Sequence, residues 1–195
     1  MTIYQLQREK LRDIILETAI SSFKEKGYDN ATIDEITKTV GIAKGTFYNF
    51  FSSKNEILLT WAERRFQTIP FIEACNPEKT AEENLYQFID IITDAIKDEA
   101  LLFRSLLKEI IRFPGDKKYS RQFDFVKLYR LILGRSSDSS TITVSMPEVK
   151  IDVLNHSLYM GILNWFDTNN SFDGLNGYLK NIIKVCMNGI CNVRL

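Results

Sequence analysis

Residues 41–54 read GIAKGTFYNFFSSK. They hold two Lys, a Tyr and three Phe, with no acid. A buried helix would not keep Lys44, Tyr48 and Asn49, and a solvated one would not want Phe47, Phe50 and Phe51. The stretch therefore predicts a short helix with one packing face and one face that meets something polar. Just upstream, Thr32-Ile-Asp-Glu35 is a capping box: the Thr hydroxyl accepts the Glu35 N–H while the Glu carboxylate reaches back. The helix it opens runs to Val40 and stops at Gly41, where a tight turn needs a positive φ. Before it, Leu11 to Phe23 places apolar residues at 11, 14/15, 19 and 23 on one helical face, and Gly27 sits where that helix would end in a left-handed residue. Three helices with a tight turn between the last two are helix-turn-helix grammar, and the third becomes the recognition helix.

The rest of the chain continues with helical period. Ser53 and Glu56 form a second capping pattern, and the helix carrying Ile57, Leu58, Trp61 and Phe66 should end or kink at Pro70. Further helices are predicted over 81–97, over 100–113 with a stop at Pro114-Gly115, over 119–133 with a stop at Gly134, over 149–165 and over 175–193. Residues 135–147 (RSSDSSTITVSMP) read as a loop. The fold class is all-α, about nine helices, with an N-terminal helix-turn-helix head over 1–52 and a helical regulatory and dimerisation core over 53–195.

Composition narrows the function. The chain has 195 residues, 45% apolar, with zero net charge, so an electrostatic case for nucleic acid must be local. It is local: residues 36–55 hold three Lys and no acid, while residues 1–60 balance at eight bases and eight acids. One His and three scattered Cys supply no metal-ligand spacing, so no metal or cofactor is expected. There is no GxSxG nucleophile motif and no phosphate-binding Gly loop, which weighs against an enzyme. With no signal sequence and no long apolar run, a cytoplasmic protein with no membrane partner is expected.

The order of parts resembles one family, the TetR-type transcriptional regulators. The matching run is ILETA at 15–19, Phe23, Gly27-Tyr28, Ala31-Thr32-Ile33, Ile36, Gly41-Ile42, Lys44-Gly45-Thr46, Tyr48, Phe51, Lys54 and Leu58. The resemblance implies a repressor that binds an inverted-repeat operator in double-stranded DNA as a homodimer and responds to a small-molecule effector. Its DNA-binding set here is Thr32, Lys44, Gly45, Thr46, Tyr48, Asn49 and Lys54. Lys44 suits guanine O6/N7 and Asn49 suits adenine; Gly45 lets the backbone come close; Tyr48 is a phosphate contact by resemblance; Thr32 and Lys54 lie near helix N-termini, which favour phosphate. Three departures matter; one is Thr37, which replaces a usual Ala on the packing side of the second helix. Ala43 stands where the family usually has Ser or Thr, and Phe50 where it often has His or Tyr, so phosphate donors are missing.

Two further sets follow. The aromatic middle helices can line an apolar cavity for an apolar or aromatic effector, with Phe66, Tyr86, Phe103, Arg104, Leu107, Tyr129 and Trp165 as candidates; plain core packing is the alternative for the apolar and aromatic ones, and the solvated face for Arg104. By resemblance, the last two helices form the dimer interface through Val153, Ser157, Met160, Gly161, Ile182, Ile183, Cys186 and Ile190; an intrachain helix pair is the alternative. His156 beside them reads as a satisfied interface or core histidine. Two other functions stay open: a helical protein–protein adaptor, or an all-α enzyme, with a degenerate DNA-binding head.

Overall fold

The computed structural model describes residues 2–112, 125–138, 147–169 and 171–192. They form nine α-helices and two short 3-10 turns, with no strand among the described residues, as the helical periodicity predicts. The chain divides into two compact units. One joins the residues up to Gln67 to a later helix from Leu101 onward; the other holds 68–100 and the remainder.

The first unit begins with α1 (Ile3–Lys26). It starts well before the predicted Leu11 because Thr2 and Gln5 form a capping box: the Gln5 N–H donates to the Thr2 hydroxyl at 3.2 Å, and the Thr2 N–H to Gln5 Oε1 at 2.8 Å. Ile15, Leu16, Ala19, Ile20 and Phe23 bury one face, whereas Ile3, Tyr4 and Leu6 in the opening turns are exposed. Gly27 ends α1 at φ 84° and ψ 149°, a positive φ but with an extended ψ, so it is not the left-handed cap that was expected. The capping box at Thr32 opens α2 (Ile33–Val40) as predicted. Gly41 is left-handed (φ 79°, ψ 32°), and its N–H and that of Ile42 both donate to the Thr37 carbonyl at 3.0 Å. That closes the tight turn. Helix α3 (Lys44–Tyr48) follows, five residues long. Phe47 and Phe51 are fully buried and hold it down, each contributing roughly 1.5–3 kcal/mol.

Helix α4 (Lys54–Gln67) is capped by the Ser53 hydroxyl, which accepts the Glu56 N–H at 3.2 Å; it ends ahead of Pro70, where the 3-10 turn Phe71–Ala74 begins. In the second unit, α5 (Ala81–Ile96) carries a third capping box at Thr80 and Glu83. A 3-10 turn at Lys97–Glu99 leads to α6 (Ala100–Arg112), which belongs to the first unit from Leu101. Helix α7 (Phe125–Arg135) continues through Gly134, where a stop was predicted. A glycine inside a helix costs about 1 kcal/mol and does not force an end. The helix gives way at buried Ser136, whose hydroxyl donates to the Ile132 carbonyl at 2.5 Å. The predicted start at 119, the stop at Pro114-Gly115 and most of the loop 135–147 lie outside the described residues. Helices α8 (Pro147–Asn169) and α9 (Leu175–Asn192) close the chain.

The second unit packs α9 on α5 and α8. Lys180 pairs with Asp90 at 2.5 Å, and the Asn176 side-chain amide donates to the Thr93 hydroxyl at 2.8 Å. Asn84, wholly buried, ties the loop at Asn76 to Ser136 with its amide, so the buried polar group is satisfied.

Candidate nucleic-acid interface

Helix α3 presents Lys44, Gly45, Tyr48 and Asn49 to solvent, with Thr46 half-buried, over the buried Phe47 and Phe51. Tyr48, 48% exposed, stands edge-on to Phe47 with ring centroids 5.5 Å apart. The predicted division of α3 into a packing face and a polar face is what the structure shows. Ala43 is the N-cap and makes no side-chain cap, as its lack of a hydroxyl requires.

Lys44 is held by an acid that sequence reading passed over. Its ammonium lies 2.6 Å from Asp34 Oδ1 in the first turn of α2, and this carboxylate keeps the lysine pKa above its ordinary value. Both partners are exposed, so the pair contributes little to stability and opens readily. Thr32 does double service in its cap: it accepts the Glu35 N–H at 3.2 Å and donates to Glu35 Oε2 at 3.1 Å. Glu35 in turn accepts from Lys26 at 2.9 Å, and Lys26 followed by Thr32 holds its carboxyl below the usual range.

Lys54 occupies a different environment from the phosphate site that the resemblance implies. Its ammonium donates to the backbone carbonyls of Tyr28, Asp29 (3.3 Å) and Ala31 (3.1 Å), and lies 4.5 Å from the centre of the Tyr28 ring. It ties the first residue of α4 to the loop between α1 and α2. Burial lowers its pKa. Two arginines of α1 also reach the region of α3: the Arg8 guanidinium sits 5.6 Å from the Phe50 ring centre, and that of Arg12 sits 4.8 Å from Phe51. Arg8 and Arg12 are one helical turn apart, but their partners lie some forty residues away, so no local pattern marks them.

The candidate effector residues divide between the two units. Phe103 and Leu107 are buried in the first, with Phe66 against Phe103 at 5.8 Å and Arg104 half-buried. In the second, Tyr129 is buried among Phe88 (5.5 Å) and Phe125 (6.3 Å), and burial drives its hydroxyl pKa well up. Tyr86 bonds Glu82, and burial with that bond pushes its pKa up to about 12. Trp165 donates to the Ser171 carbonyl at 2.8 Å and packs on Tyr178, bracing the turn between α8 and α9.

The candidate interface residues also divide. Val153 and Met160 are exposed on α8, in line with Val149, while Val185 is exposed on α9. Ser157, Ile182 and Cys186 are half-buried. Gly161 and Ile183 work inside the chain: a Cβ on Gly161 would lie 2.4 Å from Ile182 Cδ1, and Ile183 is fully buried. The Ile190 side chain lies outside the described residues. His156 is exposed, not in the core, and its Nδ1 bonds the Asp152 carbonyl at 2.8 Å. Among the described residues no cluster of acids, His and Cys could hold a metal ion, and no helix is long and apolar enough to cross a membrane.

Comparison with known proteins agrees with this geometry. Residues 15–60 match the family described as bacterial regulatory proteins, tetR family. The chain is 36% identical over 80 residues to the biofilm operon icaADBC HTH-type negative transcriptional regulator IcaR of Staphylococcus epidermidis, covering 40% of this chain and 43% of that protein. It is 35% identical over 97 residues to the HTH-type transcriptional regulator YvdT of Bacillus subtilis, covering 50% and 47%. The match thus spans less than half the length of either relative. The fold as a whole is similar to Thermus thermophilus FadR, a TetR-family transcriptional repressor solved with lauroyl-CoA (TM-score 0.71, 18% identity, 94% of this chain and 96% of that one). It is also similar to Bacillus subtilis FadR solved with stearoyl-CoA (TM-score 0.67, 19% identity, 90% and 97%). The helix-turn-helix at the head and the family segment matched over it agree: residues 15–60 carry the DNA-binding segment of the tetR family of bacterial regulatory proteins, on an all-helical chain whose fold is similar to solved members of that family.

Proposed function

We propose that this regulator is a repressor that binds an inverted-repeat operator as a homodimer and is released by an apolar small molecule. The single observation that carries the reading is α3: a polar, acid-free exposed face seated on two fully buried phenylalanines behind a left-handed glycine turn. Lys44 and Asn49 read base edges. Gly45, Thr46 and Tyr48 approach the backbone, and Thr32 offers its hydroxyl at the start of α2. Residues 1–52 act as the DNA-binding part and 53–195 as the regulatory and dimerisation part, in the cytoplasm. A two-fold dimer places its recognition helices about 34 Å apart, one turn of DNA.

Magnitude bears on the effector. Taking a two-state protein from mostly competent to mostly incompetent needs a differential affinity of about 5.5 kcal/mol. At about 0.8 kcal/mol per CH₂, roughly seven methylenes buried in the DNA-incompetent state alone supply it. A long alkyl chain therefore suffices where a single small ring falls short, and the two structural relatives solved with acyl-CoA support that reading. The test is selection of bound sequences from random duplex DNA, followed by titration of the selected duplex with a panel that includes fatty acyl thioesters and aromatic compounds. An inverted repeat whose binding falls on adding an apolar ligand is expected. Failure to enrich any sequence would sink the repressor reading; enrichment with no ligand effect would sink only the induction step.

A further inference from the structure

We propose that Arg8, in the first half of α1, is a DNA-backbone contact, completing a phosphate-binding groove between α1 and α3. The inference rests on the DNA-binding reading above. The groove has a volume of about 530 Å³. Tyr4, Gln7 and Arg8 form its α1 wall, and Thr46, Asn49 and Phe50 its α3 wall. Two of those α3 residues belong to the face assigned to DNA, so what lies beside them in the complex is the sugar-phosphate backbone of the same duplex. No acid lines the groove.

Phe50 offers no hydrogen-bonding group to that backbone. It offers a ring instead, and the exposed Arg8 guanidinium lies 5.6 Å from its centre. A cation over an aromatic face is held in place without being neutralised. The ring offers no hydrogen-bond acceptor of its own to compete, so the guanidinium N–H donors remain available for a two-point bond to phosphate. The arrangement supplies a phosphate donor at the corner of α3 where the side chain of residue 50 has none. Arg8 lies upstream of the segment that matches the family, residues 15–60. The α1 capping box at Thr2 and Gln5 extends the helix far enough to bring it there.

The experiment measures dissociation constants of the full chain between 50 and 300 mM salt for R8Q, R8K and the parent. Two probes are used: a pool of random-sequence 30-base-pair duplexes, and the duplex recovered by selection. R8Q should flatten the slope of log K against log salt by about 0.9 for each Arg8 in contact. Between 50 and 200 mM the loss of affinity then shrinks by roughly 3.5-fold per contact, equally on both probes. R8K, which keeps the charge, should keep the parent slope. Arg8 is exposed, and an unchanged melting temperature shows that folding is not the cause. An R8Q slope equal to the parent's, or an R8K slope as flat as that of R8Q, overturns the inference and leaves the DNA-binding reading standing. A parent that binds neither probe overturns both.

Discussion

Replacing Lys54 by Met separates two roles that look alike in sequence. The ammonium makes hydrogen bonds to three carbonyls of the α1–α2 loop and sits over the Tyr28 ring. Hydrogen bonds to a charged group contribute about 1.5–3 kcal/mol when buried, and an exposed cation–π contact about 0.5–1 kcal/mol. Lys54 is only partly buried, so water takes over some of the lost bonds, and the desolvation that lowers its pKa works against the gain. A net loss of about 1–3 kcal/mol is expected on K54M, which keeps the apolar stem. For a chain of this length that lowers Tm by about 2–12 °C. DNA affinity should fall too, through a loosened head, but the salt dependence should match the parent's because no phosphate contact is lost. Thermal unfolding and salt-dependent binding of the one variant decide the matter. A K54M protein as stable as the parent, with a flattened salt slope, would refute the reasoning and return Lys54 to the phosphate role.

Other outcomes follow from the same geometry. K44A should weaken binding to the selected duplex by about 1–3 kcal/mol and relax one position of the site; D34N, which removes an acid beside the DNA face and releases Lys44, should raise affinity for random duplex and lower the ratio of specific to non-specific binding, as parallel titrations will show. M160D places a charge on the exposed face of α8 and should yield monomer by sedimentation with Tm nearly unchanged, whereas G161L crowds Ile182 within the chain and should lower Tm; an M160D protein that stays dimeric would move the interface elsewhere. Glu35 and Glu83 have folded-state pKa values below the ordinary 4.5, through Lys26 and Thr32 for the first and the Thr80 cap for the second. The stability they contribute is full above pH 4.5 and is lost as pH falls through the lower folded values, so E35Q/E83Q should flatten the acid limb of Tm against pH below 4.5.

What could be read from the sequence was local. Thr32 and Glu35 are three residues apart, Gly41 follows the last turn it caps, and Phe47 and Phe51 are one helical turn apart; each such signal lies within a window that a propensity argument can span. What could not be read was the non-local pairing. Lys54 and Tyr28 are 26 residues apart, and only the folded head shows that this lysine at a helix start meets three loop carbonyls. Phe50 looked like a missing donor because the side chain that stands over it comes from α1. Gly161 carries the same lesson in packing. A small residue on a helix says that another helix comes close, and nothing in its spacing says whether that helix is in the same chain. The 2.4 Å approach of Ile182 answers for Gly161, and the proposed dimer draws instead on the outward stripe of α8, where Val149, Val153 and Met160 stand exposed. Their apolar side chains, one or two turns apart on one helix, would gain by burial against a second copy in the proposed dimer.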